Sequence, residues 1–162
     1  MLQSQTYNVV IAKTGLDGHT RGAVSIVKGL RELGMNAWFT GIRRTPEEIA
    51  EIAAKVEAHC IGVSFHSGTH LEQMPRVLRT LEARGLHVPL LLAGGIIPSA
   101  DIHRLLEMGV SGVFTPGASI ASIARFIQDR VQLSEASPFT PQRFAPLPLE
   151  TPFAADHFSA SH

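Results

Sequence analysis

A histidine lies in a glycine-bounded loop directly after an apolar run. His19 follows Asp17 by two residues, and Lys13 lies four residues before that aspartate. A metal-ligating imidazole commonly donates its second ring N–H to a carboxylate, which fixes the tautomer and raises ligand basicity. A lysine near that carboxylate would keep it ionised. The spacing therefore predicts one histidine nitrogen held outward for a metal, with Asp17 and Lys13 in support.

The loop at residues 15–22 has two other interpretations. It could cradle a phosphate, but it lacks both Gly-x-Gly-x-x-Gly and a Walker lysine. His19 could also be an ordinary solvated histidine. The metal interpretation is favoured because the loop joins an apolar strand pattern to a helix pattern.

Composition argues against several classes of partner. The 162 residues carry 14 basic and 14 acidic side chains, so the formal net charge is zero, and the basic residues do not cluster. We therefore expect neither a nucleic-acid partner nor an anionic membrane surface. The single cysteine, Cys60, is predicted to be a small buried hydrophobe. Since no signal pattern or spanning apolar stretch is found, we expect a soluble cytoplasmic protein.

Five short apolar runs alternate with five helical patterns. The predicted strands are 8–12, 37–40, 60–64, 89–93 and 112–115, and the predicted helices are 22–33, 46–58, 72–84, 100–108 and 119–131. Strict alternation favours a parallel sheet with helices on both faces. We expect an α/β fold, a flavodoxin-like and Rossmann-like doubly wound sheet of order 2-1-3-4-5.

Capping residues mark several helix boundaries. Thr45, the following proline and Glu48 form a capping-box pattern. Ser99 precedes another helical run. Three helix patterns stop at glycines, which suit a left-handed cap: Gly34, Gly85 and Gly109.

Distinctive residues follow the strands at the edge where doubly wound folds bind ligands. Loops rich in glycine, serine and threonine are expected to converge there, at residues 17–22, 64–68, 94–95 and 115–117. Residues 134–162 differ, because they contain five prolines and lack helical or strand periodicity. We therefore expect a domain at 1–133 and a flexible C-terminal tail at 134–162.

These loops together resemble the cobalamin-binding domain of acyl-CoA mutases of the methylmalonyl-CoA mutase type. The family motif Asp-x-His-x-x-Gly is matched by Asp17, His19 and Gly22, and the resemblance covers about residues 8–132. Further matches lie at 44–48, 62–64, 94–98 and 115–117, and at Gly68 and His70.

The resemblance implies a role for each matched residue. His19 would be the lower cobalt ligand in place of the cofactor's own benzimidazole, and Asp17 and Lys13 would support it. Ser64 would lie near that benzimidazole. The other implied cofactor contacts are Gly18, Arg21, Gly22, His66, Gly68, Gly94, Gly95, Phe114, Thr115, Pro116 and Gly117.

The chain departs from the family pattern at two positions. The family's Ser-x-Leu motif reads Ser64-Phe65-His66, and Phe114 stands where tyrosine is common. His66 is either hydrogen-bonded at a strand end or faces the cofactor. His70 matches the family and either contributes to the site or supports the helix that follows.

The resemblance implies a cobalamin-binding small subunit of an adenosylcobalamin-dependent acyl-CoA mutase, an isomerase. A catalytic barrel takes about 250 residues, so the partner would be a large barrel subunit, and the chain alone would be inactive. The resemblance does not select the acyl group. Two alternatives are a corrinoid methyl carrier of a methyltransferase system and a cobalamin-responsive regulatory module.

Overall fold

Five parallel strands and five helices alternate within the residues that the computed structural model describes, 6–16 and 18–135. The predictions for Asp17 and for residues 136–162 lie outside this range. The elements are β1 Asn8–Ala12, α1 Arg21–Glu32, β2 Asn36–Phe39, α2 Pro46–Lys55, β3 Cys60–Phe65, α3 His70–Ala83, β4 Leu90–Gly95, α4 Ser99–Met108, β5 Gly112–Phe114 and α5 Ile120–Glu135.

The sheet order is β2-β1-β3-β4-β5, and every strand pair is parallel. This confirms the predicted doubly wound topology. The strands are apolar on both faces because each face packs against helices. Helices α2, α3 and α4 share one buried cluster with Val10 and Ile61, and helices α1 and α5 share the other with Val9 and Cys60.

The capping box at the start of α2 is present as predicted. The backbone N–H of Glu48 donates to the Thr45 hydroxyl at 3.1 Å, and the Thr45 N–H donates to the Glu48 carboxylate at 3.3 Å. Arg44 also donates to this carboxylate at 2.9 Å, and that hydrogen bond holds the pKa of Glu48 below its ordinary value. These bonds fix the chain between β2 and α2.

The helix boundaries differ from the sequence prediction in places. Helix α3 begins two residues earlier, at His70, because this histidine is buried against the next helix. Ser99 is the first residue of α4, and Pro98 occupies the N-cap. Helix α5 continues to Glu135 instead of ending at Val131.

The predicted helix-stopping glycines are confirmed. All three have positive φ angles: Gly34 at 90°, Gly85 at 64° and Gly109 at 112°.

Cys60 is buried, as predicted, and burial raises the pKa of its thiol. Among the described helices, none has the length and apolar character needed to cross a bilayer.

Gly95 permits an unusually close approach between β4 and β3. Its φ is +106°, and a Cβ there would lie 2.0 Å from the carbonyl oxygen of Phe65. The same oxygen accepts the backbone N–H of Ile96 at 2.9 Å. Because a backbone atom occupies the space, the loop after β4 depends on glycine at this position.

We expect Gly95→Ala to lower the free energy of unfolding by on the order of 2–4 kcal/mol, from backbone strain and steric overlap. Urea denaturation measures this. Gly22→Ala is the control, because a Cβ there would meet no atom within 4 Å among residues 6–16 and 18–135, and the residue is helical. The control should be neutral or stabilising by up to about 1 kcal/mol. Equal stability of the two variants would contradict the interpretation of Gly95.

Candidate functional site

The carboxyl ends of β3, β4 and β5 bring three predicted site residues into one row. Ser64 pairs with Gly94 across β3 and β4, and Gly94 pairs with Phe114 across β4 and β5. Side chains alternate along a strand, so this row lies on the face that packs against α1 and α5, as Cys60 does. The sequence therefore predicted correctly that these positions share an edge.

Three loop glycines at this edge face open space. A Cβ added at Gly18, Gly68 or Gly117 would meet no atom of the described residues within 4 Å. Gly68 and Gly117 also have positive φ angles of 76° and 103°. Thr115 and Pro116 are exposed beside Gly117. The loops after β1, β3 and β5 therefore leave their backbones accessible to a ligand.

Two histidines from neighbouring loops stack on one another. The rings of His19 and His66 have centroids 3.7 Å apart and planes inclined by 17°. Both residues are exposed. His19 follows β1 and His66 follows β3, and these two strands pair directly in the sheet. The stack therefore lies at the switch point of the doubly wound sheet, where the strand order reverses between β1 and β3.

A buried polar pair lies beneath the His19 loop. Lys13 is 0% exposed and Thr14 is 1% exposed. The backbone carbonyl of Lys13 accepts the N–H of Arg44 at 3.0 Å. The Thr14 hydroxyl has no hydrogen-bond partner within residues 6–16 and 18–135. A buried ammonium is stabilised by a compensating acceptor, and the predicted support of Asp17 by Lys13 stays a prediction.

A buried histidine joins α3 to α4 below the same edge. The Nε2–H of His70 donates to the Asp101 carboxylate at 2.7 Å, and His70 is 3% exposed. The His70 ring packs edge-to-face against the Phe65 ring, with the ring centroids 6.1 Å apart. His70 therefore braces the two helices that follow β3 and β4. Sequence reasoning missed Asp101, because the partners are 31 residues apart and no local motif links them.

Phe114 is half-buried and packs against α5. Its ring lies 5.4 Å from that of Phe126, with an interplanar angle of 84°. The aromatic pair fills the face beside Gly112, where a Cβ would lie 2.9 Å from the Phe126 ring.

Arg21 and Gly22 are exposed at the start of α1. The predicted site residues other than Asp17 thus surround one edge.

The donor set suits a metal that brings most of its own ligands. In the part of the chain that the structure describes, no group of three His, Cys, Asp or Glu side chains is close enough to hold a metal ion. His19 offers one exposed imidazole beside open loop backbone. A macrocycle that already supplies the equatorial metal ligands fits such a single-ligand site.

Comparison with known proteins gives consistent matches. The family model described as the B12 binding domain matches residues 7–124. The 2-hydroxyisobutanoyl-CoA mutase small subunit of Aquincola tertiaricarbonis is 36% identical over 126 residues, which cover 75% of this chain and 93% of that subunit. Ethylmalonyl-CoA mutase of Cereibacter sphaeroides is 45% identical over 107 residues, which cover 66% of this chain and 16% of that enzyme.

A solved structure shares the fold. The crystal structure of a cobalamin-binding protein from Desulfitobacterium hafniense superposes with a TM-score of 0.67 and 18% sequence identity, covering 78% of this chain and 60% of that one. At this identity the likeness supports the architecture alone.

Removal of the half-buried Asp101 carboxylate should destabilise the packing of α3 against α4. Asp101→Ala leaves the His70 N–H buried without a partner, which costs about 1–3 kcal/mol of unfolding free energy. Glu107→Ala is the matched control on the same helix, because its partner His103 is 80% exposed. The control should change stability by no more than about 0.5 kcal/mol. Chemical denaturation measures the free energy of unfolding of both variants. Equal decreases would show that the His70–Asp101 bond contributes no more than a surface pair.

Proposed function

This chain belongs to the B12-binding domain family, and we propose that it is the cobalamin-binding small subunit of an adenosylcobalamin-dependent acyl-CoA mutase. The observation that carries the proposal is the exposed imidazole of His19 at the edge where the loops after β1, β3, β4 and β5 converge. The similarity to a mutase small subunit over 93% of that subunit's length supports the assignment of class.

The proposed role of His19 is to ligate cobalt from below, in place of the cofactor's benzimidazole. Asp17 would accept the second ring N–H of His19 and so fix its tautomer. The fully buried Lys13 would keep that carboxylate ionised from beneath the loop. When bound, the cofactor supplies the radical chemistry of the carbon-skeleton rearrangement, and the chain supplies binding and orientation.

The displaced nucleotide tail would run along the Ser64–Gly94–Phe114 row. Ser64 is half-buried there and offers a hydroxyl as donor and acceptor. Glycines at the strand ends and loops let the tail approach the backbone closely. The contacts proposed for the tail and the adjoining corrin are Gly18, Arg21, Gly22, Ser64, His66, Gly68, Gly94, Gly95, Phe114, Thr115, Pro116 and Gly117.

The proposed partner is a large subunit that carries the catalytic barrel. Ethylmalonyl-CoA mutase matches this chain over 16% of its length, which leaves most of that enzyme without a counterpart in the match. The similarity to a mutase small subunit supports the proposed two-subunit arrangement. The acyl group would then be selected by the barrel, while this chain presents the upper face of the cofactor to it.

Substitutions in the loop after β1 test the cofactor site. Titration with hydroxocobalamin, followed by absorbance, should show Asp17→Asn weakening binding by about 10- to 100-fold, as expected for loss of a carboxylate behind a metal ligand. His19→Ala should weaken it more. His103→Ala is the control, because this histidine is exposed on α4 away from the edge. Parent-like affinity in both loop variants would exclude His19 as the ligand.

Reconstitution tests the subunit assignment. The purified chain with adenosylcobalamin should show no acyl-CoA mutase activity until a cognate large subunit is added, because the catalytic barrel would reside there. Activity of the chain alone would contradict the proposal. Methyl transfer to an added acceptor, without mutase activity in any combination, would favour a corrinoid carrier instead.

A further inference from the structure

The imidazole of His66 covers one face of the proposed cobalt ligand. The two ring planes are nearly parallel, with centroids 3.7 Å apart. This distance is short enough for direct stacking contact between aromatic rings. The sequence had left His66 open between a strand-end role and a cofactor contact, and the structure places it against His19.

The His66 ring is anchored on the sheet, whereas His19 is carried by a loop. His66 directly follows β3, which ends at the buried residue Phe65. Phe65 is in register with Gly95, and its carbonyl accepts the N–H of Ile96 at 2.9 Å. The backbone leading into His66 is therefore fixed by the strand pairing of Phe65, and the His66 ring presents a flat surface to the loop that carries His19.

Stacking adds to the contacts that fix the orientation of an exposed histidine ring. The torsion between Cβ and the imidazole ring is broad, unlike the staggered torsions of aliphatic side chains. His19 is exposed, so the surrounding core does not enclose its ring. A second ring stacked at a 17° inclination restricts this rotation. A metal ligand gains affinity when it is held near its bound orientation before the metal arrives.

We propose that His66 is a positioning residue for His19, which orients the imidazole before cobalamin binds. The inference rests on the proposed function, since it assumes that His19 is the ligand. It requires only that the stack remains in the complex and that a flat side chain at position 66 maintains it. A leucine, as in the family's Ser-x-Leu motif, lacks a ring that could stack.

Three variants at position 66 separate stacking from other roles. His66→Phe keeps a flat ring, whereas His66→Leu and His66→Ala remove it. We expect the latter two to weaken hydroxocobalamin binding by about 2- to 13-fold, the range for one aromatic pair. His66→Phe should restore most of that affinity. His87→Leu is the matched control, because His87 is exposed before β4 at the opposite edge of the sheet.

A second readout uses the protein without cofactor. The stacked rings should shift the His19 ring-proton resonances upfield in NMR spectra, through the ring current of His66. His66→Ala and His66→Leu should remove this shift, His66→Phe should retain it and His87→Leu should leave it unchanged. Thermal unfolding of each variant confirms that the fold is intact.

The outcomes distinguish this inference from the proposed function. Unchanged or tighter cobalamin binding in His66→Ala would overturn the inference, because the stack would then be irrelevant or would have to break. The inference would also be overturned if the chemical shifts of the His19 ring protons stayed unchanged in every variant at position 66. Failure of the ligand assignment itself is recognised separately, as a His19→Ala variant that binds cobalamin like the parent.

Discussion

The site depends on parallel pairing of β3 with β1 and β4. Because these strands run in one direction, the residues that follow them emerge at the same edge of the sheet. The register aligns Ser64 with Gly94 and Phe65 with Gly95, and it brings the loops carrying His19 and His66 together. Glycine at position 95 makes this pairing possible, since a Cβ there would collide with a backbone oxygen. The fold and the positions of the candidate ligand-binding residues therefore depend on the same hydrogen-bonded strand pairing.

Burial divides the site into a rigid base and an accessible upper surface. Lys13, Thr14 and His70 are buried below the loops, and the His70–Asp101 bond ties α3 to α4. The histidine pair and the loop glycines are exposed above them. This division suits a large planar cofactor, because a fixed base positions the ligand while the open surface leaves room for a partner.

The sequence was sufficient for the topology and for the placement of the candidate site residues at one edge of the sheet. The alternation of apolar strand patterns with periodic helix patterns predicted the sheet order, and β1 was predicted with its observed bounds, Asn8–Ala12. The box at Thr45 was predictable because its hydrogen bonds link residues three apart. Site residues were located because strand ends in such folds share an edge, although their roles toward the cofactor stay predictions.

Contacts between distant residues were not predictable in the same way. The Asp101 partner of His70 and the stack of His66 on His19 depend on three-dimensional packing. The first residue of α3 shows the same dependence, because His70 is buried and bonded to Asp101 of α4, a contact that no local sequence pattern encodes. Local sequence patterns specify where helices and strands form. Contacts between distant residues set where those helices and strands end and which side chains surround each functional group.

The central claim is that His19 ligates cobalt in place of the cofactor's own base. Electron paramagnetic resonance of the cobalamin complex, reduced to Co(II), tests it directly when the protein is labelled with ¹⁵N-histidine. Coupling to a protein imidazole should change from the ¹⁴N pattern to the ¹⁵N pattern on labelling. A splitting that is identical in labelled and unlabelled protein would mean that the cofactor keeps its benzimidazole, and the account would be wrong.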